Sequence, residues 1–137
     1  MNVSARKIAT IVRCIDRARS EYSQAGDNFR HDFTRQDAAI LNVTRACEAA
    51  IDLANMLIRT HRLGVPADAR ESFALIERSR YIDADLCSRL RKTIGFRNIA
   101  VHQYQEPNLD IVESVIREGL DDVLKFAEAA RGSLGDG

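Results

Sequence analysis

The chain has 137 residues, 45% of them hydrophobic and 29% charged, a normal globular balance that can bury a core without disulfides or metal. Twenty Lys and Arg stand against twenty Asp and Glu, so a globally basic nucleic-acid binder is excluded and any RNA contact must come from a local basic patch. No apolar run approaches the ~20 residues that span a bilayer, and no apolar signal core follows Met1–Lys7, so the expectation is a cytoplasmic protein with no membrane partner.

Two prolines and seven glycines, three of the glycines within the last six residues, leave long stretches free of helix breakers. The first predicted helix covers about residues 4–24, with Ser4 as candidate N-cap. Ile8, Ile11, Val12, Ile15, Ala18 and Tyr22 form a stripe at spacings of three and four. Gly26-Asp27-Asn28 ends it, and residues 26–33 read as a loop. The second and longest helix is predicted over 34–62. Thr34 with Asp37 offers a variant capping box, and Ile40, Leu41, Thr44, Cys47, Ile51, Ala54 and Ile58 mark one face. Gly64 and Pro66 stop it.

A short helix over 68–78 carries Phe73, Leu75 and Ile76. Asp83 caps the next, over 84–103, whose stripe is Leu86, Leu90, Thr93, Ile94 and Val101. Pro107 separates it from the last helix, because the residue before a proline is pushed out of the helical region. Asn108 caps that helix, 109–131, with Val112, Val115, Ile116, Leu120, Val123, Leu124 and Ala127 inward, and residues 132–137 read as a frayed tail. No strand alternation, repeat or linker interrupts this pattern. The expected fold is all-α: one domain over residues 1–137, an up-and-down bundle of four long helices plus one short one.

Cys14, Cys47 and Cys87 are odd in number, far apart and each inside an apolar helical pattern, which fits buried, reduced thiols. The sequon Asn42-Val43-Thr44 has no meaning without secretion. His31, His61 and His102 make no His-Glu-x-x-His helix and the cysteines no CxxC pair, so no metal site is expected. Glycine-rich phosphate loops and a GxSxG elbow are absent as well, and no cofactor is expected.

One segment stands apart. In Gly95-Phe96-Arg97-Asn98-Ile99-Ala100-Val101-His102-Gln103-Tyr104, polar and ionisable residues crowd the end of an otherwise apolar stripe. On a helix, Arg97 and Tyr104, seven apart, share a face, and Asn98 and His102, four apart, share the adjacent one. His102 follows Arg97 by five residues, about 140° around an ideal helix, so one straight helix does not aim both at one point. Either the helix distorts near its end or a second subunit completes the site. Taken singly, Arg97 could pair with a carboxylate, His102 could serve as a helix-end cation and Tyr104 could be packing. As a set, this spacing arises by chance in roughly one such chain in a few hundred. Glu48 and Asp52, one turn apart on the second helix, either anchor Arg97 or form a solvated acidic face.

Arg97 through Tyr104 resembles the signature of the HEPN superfamily, an Arg followed by a polar residue and then a His about five positions on. The Tyr two past the His resembles its HepT branch. Cys47–Asn55 and Asn108–Val112 also look like that branch's second-helix segment and the start of its last helix. The resemblance implies a helical homodimer with two copies of the Arg/His motif in an intersubunit cleft, acting as a metal-independent endoribonuclease on tRNA or mRNA. It further implies a HEPN/MNT (type VII) toxin–antitoxin partner, a minimal nucleotidyltransferase that silences the toxin by moving AMP from ATP onto the motif tyrosine. On that reading Arg97 and His102 are catalytic, Asn98, Glu48 and Asp52 supporting, and Tyr104 the modified residue. The chemistry suits them: imidazole titrates near neutral pH and serves as base or acid, and guanidinium grips phosphate oxygens. The rival expectation is a non-catalytic helical HEPN module that binds RNA or a nucleotidyltransferase.

Overall fold

The computed structural model describes residues 2–100 and 106–134, with backbone alone for 97–100. The expected helix end at 101–103, with His102, and Tyr104 beyond it, lie outside the described residues, as do 135–137 of the expected tail. The fold is all-α. Helices α1 (Val3–Ala25), α2 (Phe33–His61), α3 (Ala69–Arg78), α4 (Ala84–Ala100), α5 (Leu109–Ser114) and α6 (Leu120–Leu134) follow in order, and no strand occurs among the described residues. A 3₁₀ helix, Gly26–His31, joins α1 to α2 in place of the expected loop. No helix among the described residues is long and apolar enough to cross a membrane.

The caps show where local chemistry set the boundaries. Asp83 and Asn108 cap as expected: the Asp83 carboxylate accepts from Leu86 N at 2.7 Å, and Asn108 Oδ1 from Asp110 N and Ile111 N. Two other expected caps are corrected. Asn2, not Ser4, caps α1, its Oδ1 taking hydrogen bonds from Ala5 N and from the Ser4 hydroxyl. Asp32, not Thr34, caps α2 by accepting from Arg35 N at 3.0 Å. In both cases a neighbouring Asx side chain reaches the third amide on, which is what an N-cap does. α2 stops at Arg62, which adopts left-handed φ 54°, before Gly64 and Pro66 are reached. The last helix runs through Leu134, beyond its expected end at 131.

Helices α1 and α2 form a long antiparallel hairpin, and α4 and α6 complete the bundle around one apolar cluster. α3 crosses near the far end of α2, where the Ser72 hydroxyl donates to Asn55 at 2.8 Å. The inward face of α2 carries Ala46, Ala49, Ala50 and Ala54, small enough for α6 to come close. Phe73 of α3 meets Phe126 of α6 edge to face at 5.1 Å. Between helices, ion pairs clasp the outside: Lys7–Asp52, Arg35–Glu21, Arg19–Asp121 and Arg89–Asp122. All three cysteines are buried and none forms a disulfide, and burial pushes the Cys87 thiol up while Arg91 pulls against it. Asn42 of the sequon is buried too, its side chain donating to Ala38 O.

Not every residue of the expected stripes is inside. Val12 and Leu41 stand 39% and 47% exposed. Each adjoins an inward neighbour in sequence, Ile11 and Ile40, about 100° around the helix, and an apolar stripe read at three-and-four spacing is wider than the face the bundle covers. In the last helix Leu124 is only half-buried, whereas Phe126 is fully buried. Between α5 and α6 the chain makes a π-helical turn, Val115–Gly119. The added residue in that turn rotates α6 relative to α5.

The π turn packs against α4 at close range. A Cβ on Gly119 would lie 2.8 Å from Thr93 Oγ1 and 3.1 Å from Thr93 Cγ2, and Thr93 is buried. Gly119→Ala is therefore expected to lower stability by about 1–3 kcal/mol through overpacking, despite alanine's better helix propensity. Thermal denaturation measures the loss, and Thr93→Ala in the same chain should recover most of it. An unchanged melting temperature for Gly119→Ala would show that the crossing gives way freely.

Candidate functional site

Arg97 and Asn98 lie in the last turn of α4. The buried stripe of that helix runs through Leu90, Thr93 and Ile94, and the helical register carries the same stripe on to positions 97 and 98: Arg97 follows Leu90 by seven and Thr93 by four, and Asn98 follows Ile94 by four. Two polar residues thus take register positions that an ordinary bundle helix would fill with apolar ones. One turn below them, α4 is pinned from two sides. Gly119 of the π turn meets Thr93, and the Cys47 thiol of α2 donates weakly to Thr93 O at 3.9 Å. π turns are over-represented at functional sites, and this one fixes the height and rotation of the helix that presents the motif.

On the other side of the motif, residues 106–108 lead to the Asn108 cap and α5. A polar cluster anchors this entry. Glu113 is buried and accepts from the Tyr22 hydroxyl at 3.0 Å, from Arg117 at 2.7 Å and from Arg30 Nε at 2.9 Å. Arg30 also pairs with Asp110, while Arg117 donates to the Tyr22 hydroxyl and lies over its ring. The Tyr22 contact, ahead of Glu113, raises the Arg117 pKa, so this guanidinium stays charged. Tyr22 is held in turn edge to face by Phe29. Helix α1, the 3₁₀ helix and α5 are thereby tied together at the end of the bundle where α4 delivers Arg97. Sequence reasoning places Tyr22 in the core stripe and passes over Glu113. The one signal in the sequence is a Glu four residues before an Arg, within an otherwise apolar face.

The two carboxylates named as supporting lie on α2. Asp52 pairs with Lys7 of α1 at 2.9 Å, and Glu48, one turn earlier on α2, is exposed. Asp52 therefore helps clasp α1 to α2. Among the described residues no group of three or more His, Cys, Asp or Glu side chains is placed to hold a metal ion. A groove of about 1160 Å³ runs along α1 past Ile8, Val12 and Arg17 to Arg131.

Comparison with known proteins bears on the whole chain. A family described as ribonuclease HepT-like matches residues 11–130. The curated mRNA nuclease HepT of Shewanella oneidensis MR-1 is 45% identical over 130 residues, 95% of this chain and 97% of that protein. Among solved structures, the tri-AMPylated Shewanella oneidensis HEPN toxin in complex with MNT antitoxin superposes with a TM-score of 0.88 at 45% identity, covering 96% of this chain and 99% of the other. A toxin–antitoxin structure with AMP-PNP gives a TM-score of 0.87 at 45% identity, over 95% and 99% of the two chains.

Proposed function

Because this chain belongs to the HepT-like ribonuclease family, we propose that it is the endoribonuclease toxin of a HEPN/MNT toxin–antitoxin pair, acting in the cytoplasm as a homodimer on tRNA or mRNA. The observation that carries this is the 45% identity to an mRNA nuclease over 95% of the chain, in a sequence that keeps the spacing Arg97, Asn98, His102 and Tyr104.

In the proposed reaction His102 takes the proton of a ribose 2′-hydroxyl, and the freed oxygen attacks the adjacent phosphorus. The P–O2′ bond forms and the P–O5′ bond breaks. The leaving 5′-oxygen receives a proton from the second copy of the motif across the dimer cleft, and a 2′,3′-cyclic phosphate remains. Arg97 binds the phosphate oxygens as their charge builds, and Asn98 orients the phosphate or the imidazole. Two motif copies answer the geometric difficulty that Arg97 and His102 diverge by about 140° on a single straight helix.

The cognate nucleotidyltransferase is the proposed partner and Tyr104 the residue it modifies. The related Shewanella toxin, tri-AMPylated and in complex with an MNT antitoxin, supports that assignment. The test is cleavage of a labelled RNA by the purified protein with EDTA present, with the ends of the fragments mapped and the species sized by sedimentation. Dimeric protein, unimpaired activity and cyclic-phosphate ends are expected. RNA bound but left uncut would favour a non-catalytic module, and activity dependent on added magnesium would overturn the mechanism.

A further inference from the structure

Resting on the reading of this chain as an RNA-cleaving enzyme, we propose that a basic pocket between α3 and α4 is a second phosphate site, holding the backbone of the RNA strand away from the scissile bond. The pocket has a volume of about 480 Å³ and is lined by Arg70, Arg91, Lys92, Ser88 and Glu77 among others. Three cations therefore face one carboxylate around a single concavity.

Helix α4 uses its cations unequally. Arg89 is locked to Asp122 of α6 at 2.9 Å, a structural pairing. Arg91 and Lys92, two and three residues on, make no ion pair among the described residues, and neither does Arg70 of α3. Arg91 also owns the one side-chain donor among the described residues that is buried without a hydrogen-bond acceptor, its Nε. Buried donors are normally satisfied, so this guanidinium has hydrogen-bonding capacity that its described surroundings leave unused. Like charges crowded around a concavity focus a positive potential there, and guanidinium and ammonium groups are the side chains that hold phosphodiesters.

The position suits a strand engaged at the motif. Arg91 precedes Arg97 by six residues on one helix, about 9 Å along its axis and on a different side of it. A strand touching both crosses α4 obliquely. The neutral net charge of the chain is thereby reconciled with an RNA substrate, since the basic surface is local.

The test is binding of a short fluorescent 2′-O-methyl RNA, which cannot be cleaved, measured by anisotropy across a salt series. Arg91→Gln with Lys92→Gln, and separately Arg70→Gln on the other helix, are each expected to weaken binding about fivefold or more. The salt slope should fall by about 0.7 for each phosphate of the single strand that the variant no longer neutralises. Glu77→Gln is expected to tighten binding, a change of sign that a folding defect cannot produce. With cleavable RNA, the Arg91/Lys92 and Arg70 variants should raise KM and leave kcat at saturating substrate unchanged.

Unaltered affinity and salt slope in the Arg91/Lys92 and Arg70 variants overturn the site, as does failure of the wild type to bind RNA. Normal RNA binding together with lost affinity for the nucleotidyltransferase would assign the pocket to that protein and also overturn it. Wild-type protein that binds with these effects but does not cleave leaves the site standing and removes the nuclease reading instead.

Discussion

RNA cleavage by His102→Ala is expected to fall by about 10²–10⁴-fold, the usual contribution of a general acid–base side chain. If two copies of the motif share one cleft, each substitution removes both a proton acceptor and a proton donor, so the upper part of that range is the expectation. Arg97→Ala is expected to lose about 10²–10³-fold, as when a preorganised donor to a developing oxyanion is removed. Arg97→Lys should recover only part of it, because an ammonium keeps the charge but not the planar fork that grips two oxygens. The measurement is single-turnover cleavage at saturating RNA, with circular dichroism and sedimentation as controls for fold and assembly. Both residues follow Thr93, where α4 crosses Gly119, in sequence, so the bundle should survive either change. A variant that retains full activity removes its residue from the mechanism. Mixing the two inactive variants offers a further check: in a shared cleft, heterodimers should regain activity where complementary intact groups meet.

Tyr104→Phe is expected to leave the toxin active and to free it from its antitoxin. In the proposed modification the phenolic oxygen attacks the α-phosphorus of ATP, the bond to the β-phosphate oxygen breaks, pyrophosphate departs, and the phenolic proton is lost to solvent or a base. Phenylalanine keeps the ring and removes the nucleophile. The phosphodiester formed on Tyr104 places a negative charge and an adenosine beside the motif. If the helix continues that far, position 104 shares a face with Arg97, seven residues earlier. The charge then competes for the guanidinium that otherwise holds substrate phosphate, while the adenosine fills space that RNA needs. Inhibition is then expected to proceed by occupancy of the site, with the proposed dimer intact. Co-expression with the nucleotidyltransferase, followed by intact-mass and peptide mapping, reads this directly. AMP on the wild type and none on Tyr104→Phe, with growth arrest restored in the variant, is the expected pattern. Mass added at a different residue, or a Tyr104→Phe toxin still neutralised by the active transferase, would defeat the assignment.

The motif is legible from sequence because it breaks a pattern. Leu90, Thr93 and Ile94 establish a buried register, and Arg97 and Asn98 then occupy that register with polar side chains, which a purely structural helix has no reason to do. Its surroundings are less legible. By sequence Asp52 is equally suited to anchoring Arg97 or to facing solvent, and only the packing of α1 on α2 shows that Lys7 holds it. Glu113 draws little notice because only Arg117 stands at local spacing to it, while its other two partners, Tyr22 and Arg30, come from distant segments. Arg91 is indistinguishable from Arg89 until the tertiary structure gives Arg89 a carboxylate and Arg91 none among the described residues.

Short-range physics set everything that the sequence determined by itself. Three-and-four apolar spacing, Asx caps and helix breakers act within a few residues, and they sufficed for an all-α chain with helix boundaries mostly within three residues of those observed. The Arg97–His102–Tyr104 spacing belongs to the same class, since it is written along one segment. The tertiary structure decided which edges of those stripes are covered, leaving Val12 and Leu41 exposed, and where a helix must accommodate a neighbour. The π turn at Val115–Gly119 and its contact with Thr93 belong to this second class. So do the Glu113 cluster and the cations gathered between α3 and α4. Each depends on groups from separate segments meeting at a distance of a few ångströms, a condition set by how the helices cross and not by anything within one of them.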